Sequence, residues 1–318
     1  MLLNVLLILL PLVIGYLVPL SSARLIKLVN QSLGKMVYLI LFLMGLGLAY
    51  VENLGSNLAV IFKVAGVMLA AITLCNLLAL WWLVAHFGWV DPLFLPPPQR
   101  VLAQLITIAG PTGFMDATLW QHLGASLGRI LVALAAAAFF GITVGIAMGL
   151  SPTVRGVLDP LIELYRPVPP LAYLPLMVIW FGIGETSKVL LIYLAIFAPV
   201  ALATLAGVQS TNAVRVRAAQ ALGASRSQVL WHVILPGALP DILTGLRIGL
   251  GVGWSTLVAA ELIAATRGVG FMVQSAGEFL ATDVVLAGIL VIALIAFVLE
   301  LGLRALQRRL TPWHGEGQ

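Results

Sequence analysis

Charge is what this sequence has least of: 9% of its 318 residues are Asp, Glu, Lys or Arg, against roughly 25% in an ordinary soluble domain. Hydrophobic residues make up 61%. A water-soluble core of that length cannot hide so much apolar surface, so the bilayer must be the solvent for most of the chain. Cys75 is the only cysteine, which excludes an intrachain disulfide and a Cys-based metal cluster. No G-x-x-x-x-G-K followed by Ser or Thr occurs, and Gly34-Lys35 runs into Met36 without the upstream glycine. The chain therefore has no phosphate cradle of that kind and is not expected to be an enzyme or to bind a cofactor of its own. The net charge is +5, but Lys and Arg sit in short loops beside apolar helices. That is the distribution of cytoplasmic loops in a membrane protein rather than of a nucleic-acid surface.

What is present is a series of long apolar runs. Candidate spans are Met1 to Leu20, Met36 to Val51, Val64 to His86, Ile130 to Leu150, Pro170 to Ile183, Val189 to Val208, Ile242 to Ala264 and Val284 to Leu303. Most approach the ~20 residues needed to cross about 30 Å of hydrocarbon, so the expected fold is an all-α polytopic helical bundle. The first run is longer than a signal-peptide core and reads as a retained helix. Asp91 to Arg100 reads as an extended polyproline segment. Thr118 to His122 reads either as part of an amphipathic surface helix or as a packed connector.

Ala137, Gly141, Gly145 and Gly149 recur every fourth residue in one span, and Gly245, Gly249 and Gly253 in another. Where lipid offers little drive for helices to associate, missing side chains that let backbones approach are a recognised solution. These stripes read as packing seams, with sliding between two states as the alternative.

The polar loop 209–241 holds Arg215, Arg217, Arg226 and His232 but few acids, which places it in the cytoplasm. Its signals are two short helices around a break. Asn212 caps the first, Gly223 suits its left-handed end, and Ser225 with Gln228 forms a capping box for the second. Pro236 and Pro240 are expected to close the loop before the next span. Small residues at Ala218, Ala219, Gly223 and Ala224 suit docking into another protein's groove.

Arg217-Ala-Ala-Gln-Ala-Leu-Gly223, then nine residues, then Val233-Ile-Leu-Pro236, resembles the EAA loop of binding-protein-dependent ABC importer permeases. The resemblance implies a type I importer permease core and an ATPase-docking loop at Arg217, Ala218, Ala219, Gly223, Ala224, Ser225, Val233, Leu235 and Pro236. Arg217 stands where that family usually has Glu, which removes any salt bridge inferred for the acid. The resemblance covers about Trp81 to the C-terminus. Leu164 to Pro175, Trp180 to Glu185, Ala259 to Gly268 and the tail Leu303 to Gly315 look like the nitrate, sulfonate and taurine branch, the tail like its taurine members. Implied partners are ABC ATPase subunits carrying ATP and Mg²⁺, a periplasmic substrate-binding protein, a second permease copy and membrane lipid. No nucleic acid is implied.

Three charges are candidates for either structural or path roles. Glu261 lies late in an apolar span, where an unpaired charge near the bilayer centre costs ~2.5–3.5 kcal/mol, and Arg267 is the expected partner near the outer surface. Arg166, with Glu163 three residues before it, and Arg247 are the cations an anionic sulfonate would meet.

Orientation creates a conflict at the N-terminus. A cytoplasmic loop 209–241 and a cytoplasmic Arg304, Arg308, Arg309 tail put Pro92 to Gly128 outside and Ser151 to Arg166 inside. If both earlier runs cross, Arg24, Lys27 and Lys35 fall outside, against the positive-inside rule. The first eighty or so residues, with Leu9 to Pro19 and Met36 to Gly45, resemble the start of inner-membrane lysine exporters. The expected division is therefore 1–80 as an added segment and 81–318 as the importer domain, joined between Asn76 and Trp82. An ion-gradient-driven secondary transporter is the alternative in another class, and a scaffold with no transport role a third.

Overall fold

The computed structural model describes residues 54–313. The runs Met1 to Leu20 and Met36 to Val51, with the charges between them, lie outside the described residues. The chain divides into two compact units, 1–77 and 78–318. In chain order the described helices are α1 Leu54–His86, α2 Pro98–Ala109, α3 Leu119–Leu150, α4 Pro152–Tyr165, a 3₁₀ turn Pro170–Tyr173, α5 Leu174–Phe181, α6 Glu185–Ser210, α7 Ala213–Ala221, α8 Arg226–Val229, a π-helical turn Leu230–Ile234, α9 Leu235–Ala264, α10 Val269–Glu278 and α11 Thr282–Leu310. No strand occurs among the described residues, and five helical stretches are long and apolar enough to cross a membrane.

Helix α6 is the axis of the second unit, and both small-residue stripes face it. A Cβ on Gly141 would meet Val200 at 3.0 Å, and one on Gly145 or Gly149 would fall within 2.5 Å of Thr204 or Val208. From α9, Gly249 and Gly253 meet Ile196 in the same way, and Gly245 meets Ala203 and the Pro199 carbonyl. The stripes are packing seams because the missing methyls are the space the neighbouring backbone occupies. Between them Ile130, Ala133, Ala137, Ile192, Ile196, Val200, Leu250 and Leu257 form a buried core. A second cluster joins α2, α10 and α11 through Val101, Ile108, Met272, Ala276 and Ala287.

Several expected boundaries move. Helix α3 starts at Leu119 rather than Ile130, because Thr118 and Gln121 form a capping box and Thr118 to His122 becomes the cap and first turn of the span, not a separate surface helix. Asp91 to Leu95 is a turn in which the Asp91 carboxylate accepts from Leu93 N at 2.8 Å and its carbonyl from Phe94 N and Leu95 N. Only the end of the proline run is extended, at Pro97, and Pro98 already opens α2. Pro236 and Pro240 lie inside α9 rather than ahead of it. The π turn at Leu230–Ile234 carries α8 into α9 without a break, so Pro236 lies inside a continuous helix just after that turn, whose wider i→i+5 pattern is a local irregularity of the kind found beside proline.

Between α3 and α6 the chain forms α4, of 14 residues, and α5, of 8. Ile162 of α4 packs with Ala198, Ala201 and Leu205 of α6, while Leu174 and Met177 of α5 pack with Leu191 and Ala260. The two helices thus follow one another along α6, interrupted by Arg166 to Pro169 and the 3₁₀ turn, and the apolar stretch Pro170–Phe181 corresponds to the expected fifth run.

Candidate functional site

At the cytoplasmic end, α7 and α8 form a rigid elbow. The Asn212 side chain accepts from Val214 N at 2.8 Å. Gly223 has φ +86°, a conformation glycine adopts without steric cost. The Ser225–Gln228 capping box has both reciprocal bonds. Arg217, Ala218, Gly223 and Ser225 are exposed, and Ala219, Ala224, Val233, Leu235 and Pro236 are half-buried. Between them stands Leu222, 89% exposed, with Val214 at 70%. Both apolar side chains stand on short capped helices, open to the surroundings. Leu222 lay inside the sequence motif but had no signal of its own.

Near the outer end, α3, α6 and α9 are tied by buried charge. Arg129 donates from Nε and Nη2 to both carboxylate oxygens of Glu185, the Nη2 bond at 2.8 Å. Its Nη1 donates to Glu261 Oε1 and, at 2.7 Å, to the Arg267 carbonyl. Lys188, also buried, reaches Glu185 Oε1 at 3.2 Å, so two cations balance two carboxylates. The partner of Glu261 is Arg129 rather than the Arg267 side chain. Glu261 accepts further from Ser126 Oγ and, at 2.9 Å, from Gly270 N, in the first turn of α10, where the helix dipole favours an anion. Ser126 Oγ accepts from Val269 N and His122 Nδ1 from Gly268 N. Gly268 has φ +138°, and a Cβ there would overlap the Glu261 carboxylate. Sequence reading missed Arg129, Ser126 and His122 because the span was started at Ile130. His122, Ser126 and Arg129 are spaced i, i+4, i+7, a polar stripe on one helical face.

Arg247 pairs with Glu300 at 3.2 Å and approaches Gln307. Asp159 pairs with Arg155 at 3.4 Å, and among the described residues the ion pairs include neither Glu163 nor Arg166.

Arg166 sits instead at the break between α4 and α5, on a cavity of about 490 Å³ walled by Tyr165, Tyr173, Ala195, Leu202 and Ile248 among others. Its α6 wall lies midway along Glu185–Ser210 and its α9 wall midway along Leu235–Ala264. Irregular backbone at membrane depth is tolerated where it lines a protein cavity of this kind.

The described residues form a bundle of apolar helices with a cavity between them, a charge-tied end and a capped elbow between α6 and α9. The family described as binding-protein-dependent transport system inner membrane component matches residues 137–312. The chain is 82% identical to the taurine transport system permease protein TauC of Escherichia coli K12 over 77% of this chain and 90% of that protein. It is 36% identical to the putative aliphatic sulfonates transport permease protein SsuC of the same organism, over 75% and 89%. A chain of the inward-facing MetNI methionine ABC transporter shares the fold, with TM-score 0.54 and 16% identity over 60% of this chain and 94% of that one. The chain belongs to the binding-protein-dependent transport system inner membrane components. It is a multi-pass inner-membrane permease of the type I ABC importer fold, whose system includes a substrate-binding protein and a separate ATPase.

Proposed function

We propose that this permease carries taurine or a closely related sulfonate inward across the inner membrane. The observation that carries the reading is 82% identity over 90% of the taurine permease's length, far above the 36% shared with the aliphatic sulfonate permease. The permease works as a homodimer with two ATPase subunits beneath it and a periplasmic binding protein above. ATP and Mg²⁺ reside on the ATPase, and this chain holds no cofactor. The elbow from Arg217 to Pro236 docks the ATPase, with Leu222 as its apolar contact and Gly223 setting the turn. Glu261 serves structure through Arg129, and Arg247 through Glu300.

Residues 81–318 form the transporter domain and 1–80 an added segment resembling a lysine exporter's start. In support, the taurine permease is matched over 90% of its own length while 77% of this chain is used.

Labelled taurine, an alkanesulfonate and nitrate offered to cells carrying the whole system test the substrate. Taurine should be taken up in preference, and uptake should stop on ATP depletion. Uptake that collapses with the proton gradient yet ignores ATP depletion would support the ion-driven alternative instead. Intact mass of the purified protein tests the added segment: the full 318 residues show that it is made, and a chain starting near Met68 that it is not.

A further inference from the structure

We infer that the cavity at the break between α4 and α5 is an ω-aminosulfonate site. In it the sulfonate rests on Arg166 and the tyrosine hydroxyls, and the ammonium on the α6 backbone at Ala195. The inference deepens the proposed function and rests on it for the substrate class.

The anion half follows from the donor set. Among the lining side chains Arg166 is the only charged one, and Tyr165 and Tyr173 are the only others with a hydroxyl. A sulfonate is permanently anionic and offers three acceptor oxygens, which a planar guanidinium engages two at a time. The Tyr165 hydroxyl makes only a 3.5 Å approach to the Leu194 carbonyl, too long to hold it, so it is free to turn to a better acceptor. No ion pair among the described residues uses Arg166. An ionisable side chain at membrane depth that faces a cavity without a protein partner is expected to meet a ligand or its counter-charge there.

The cation half follows from proline. Pro199 lies inside α6 and has no N–H, so the carbonyl of Ala195, four residues earlier, loses its helical donor. Ala195 and Pro199 both line the cavity. A carbonyl freed in this way at membrane depth needs a donor, and a primary ammonium supplies three. The remaining wall, including Leu202 and Ile248, is aliphatic and suits the short methylene linker.

The experiment uses the complete transporter in proteoliposomes, on a Cys75→Ser background so that a new cysteine is the only thiol of the permease chain, whose labelling is read on that chain after separation from its partners. Leu202→Cys is labelled with a charged methanethiosulfonate, with and without taurine. Taurine should slow labelling, and 2-hydroxyethanesulfonate, which lacks the ammonium, should slow it less. Adding Arg166→Gln should abolish protection and raise the KM for taurine uptake by about tenfold or more, the loss expected for one charge-assisted partner. Arg166→Lys should recover part of it. Labelling indifferent to taurine in a transporter that takes taurine up, a Leu202→Cys thiol that never reacts, or a wild-type KM in Arg166→Gln would each overturn the site. Wild-type proteoliposomes that move no sulfonate would overturn the substrate reading alone, since protection of the thiol is read without transport.

Discussion

Arg129 of α3 and Glu261 of α9 meet at the outer end of the bundle, both at least 95% buried, with Glu185 of α6 closing the other side of the guanidinium. Three helices that are otherwise held by smooth glycine seams are thereby pinned at one end by a charge-neutral cluster. Removing one member strands the other's charge, and an isostere that keeps the shape retains hydrogen bonds but not the charge balance.

Glu261→Ala should therefore lower the stability of the detergent-purified permease by about 3–5 kcal/mol, the cost of an uncompensated buried charge. Glu261→Gln, which still accepts from Gly270 N, should lose less. A double-mutant cycle with Arg129→Met, read as thermal midpoints, should show strong coupling, and additive losses would mean that the pair does not act as a unit.

Gly268→Ala should destabilise the same end without removing a charge. The position needs φ +138°, and the new methyl would overlap the Glu261 carboxylate. Backbone strain alone costs about 1–3 kcal/mol, and the clash adds to it. A wild-type thermal midpoint in this variant would count against the close approach of α10 to Glu261.

Glycines of α3 should divide sharply by face. Gly145→Val drives a side chain into Thr204 and the Ala201 carbonyl, whereas Gly124 and Gly128 have nothing within 4 Å of an added Cβ. Size-exclusion profiles should show Gly145→Val aggregated or dissociated, and Gly124→Ala and Gly128→Ala like wild type.

Leu222→Asp should leave the isolated permease folded, because the side chain is 89% exposed and packs on nothing in the chain. It should abolish co-purification of the ATPase and ATP-dependent uptake together. Gly223→Val should do the same through the backbone, where a left-handed φ costs a non-glycine residue about 1–2 kcal/mol. An ATPase that still co-purifies with Leu222→Asp would move the docking surface elsewhere.

Local chemistry is what made part of this molecule readable in one dimension. The caps at Asn212 and Ser225 and the turn at Gly223 stand where the residues alone placed them, because each is completed by atoms within four positions. The Gly141–Gly149 and Gly245–Gly253 stripes were legible as seams for the same reason, a helical period of small residues. What misled was proline taken as a stop. Pro236 reads as a terminator but lies inside a helix that runs on through a π turn, and of the two readings of Thr118 to His122, surface helix or packed connector, the burial of His122 agrees with packing.

Sequence by itself determined that the chain lives in a membrane and that loop 209–241 carries two capped short helices around a glycine turn in the spacing of the family's motif. These depend on composition, charge bias and contiguous spacing, all of which survive without knowledge of neighbours. Tertiary structure alone decided that Glu261 is answered by Arg129, 132 residues away, and that α4 and α5 pack one after the other against α6. It also decided that Arg166 and Pro199, on different helical segments, line one cavity. Each of these depends on which helix faces which, and in a bundle of apolar helices that choice is made by close packing across the chain rather than by any local pattern.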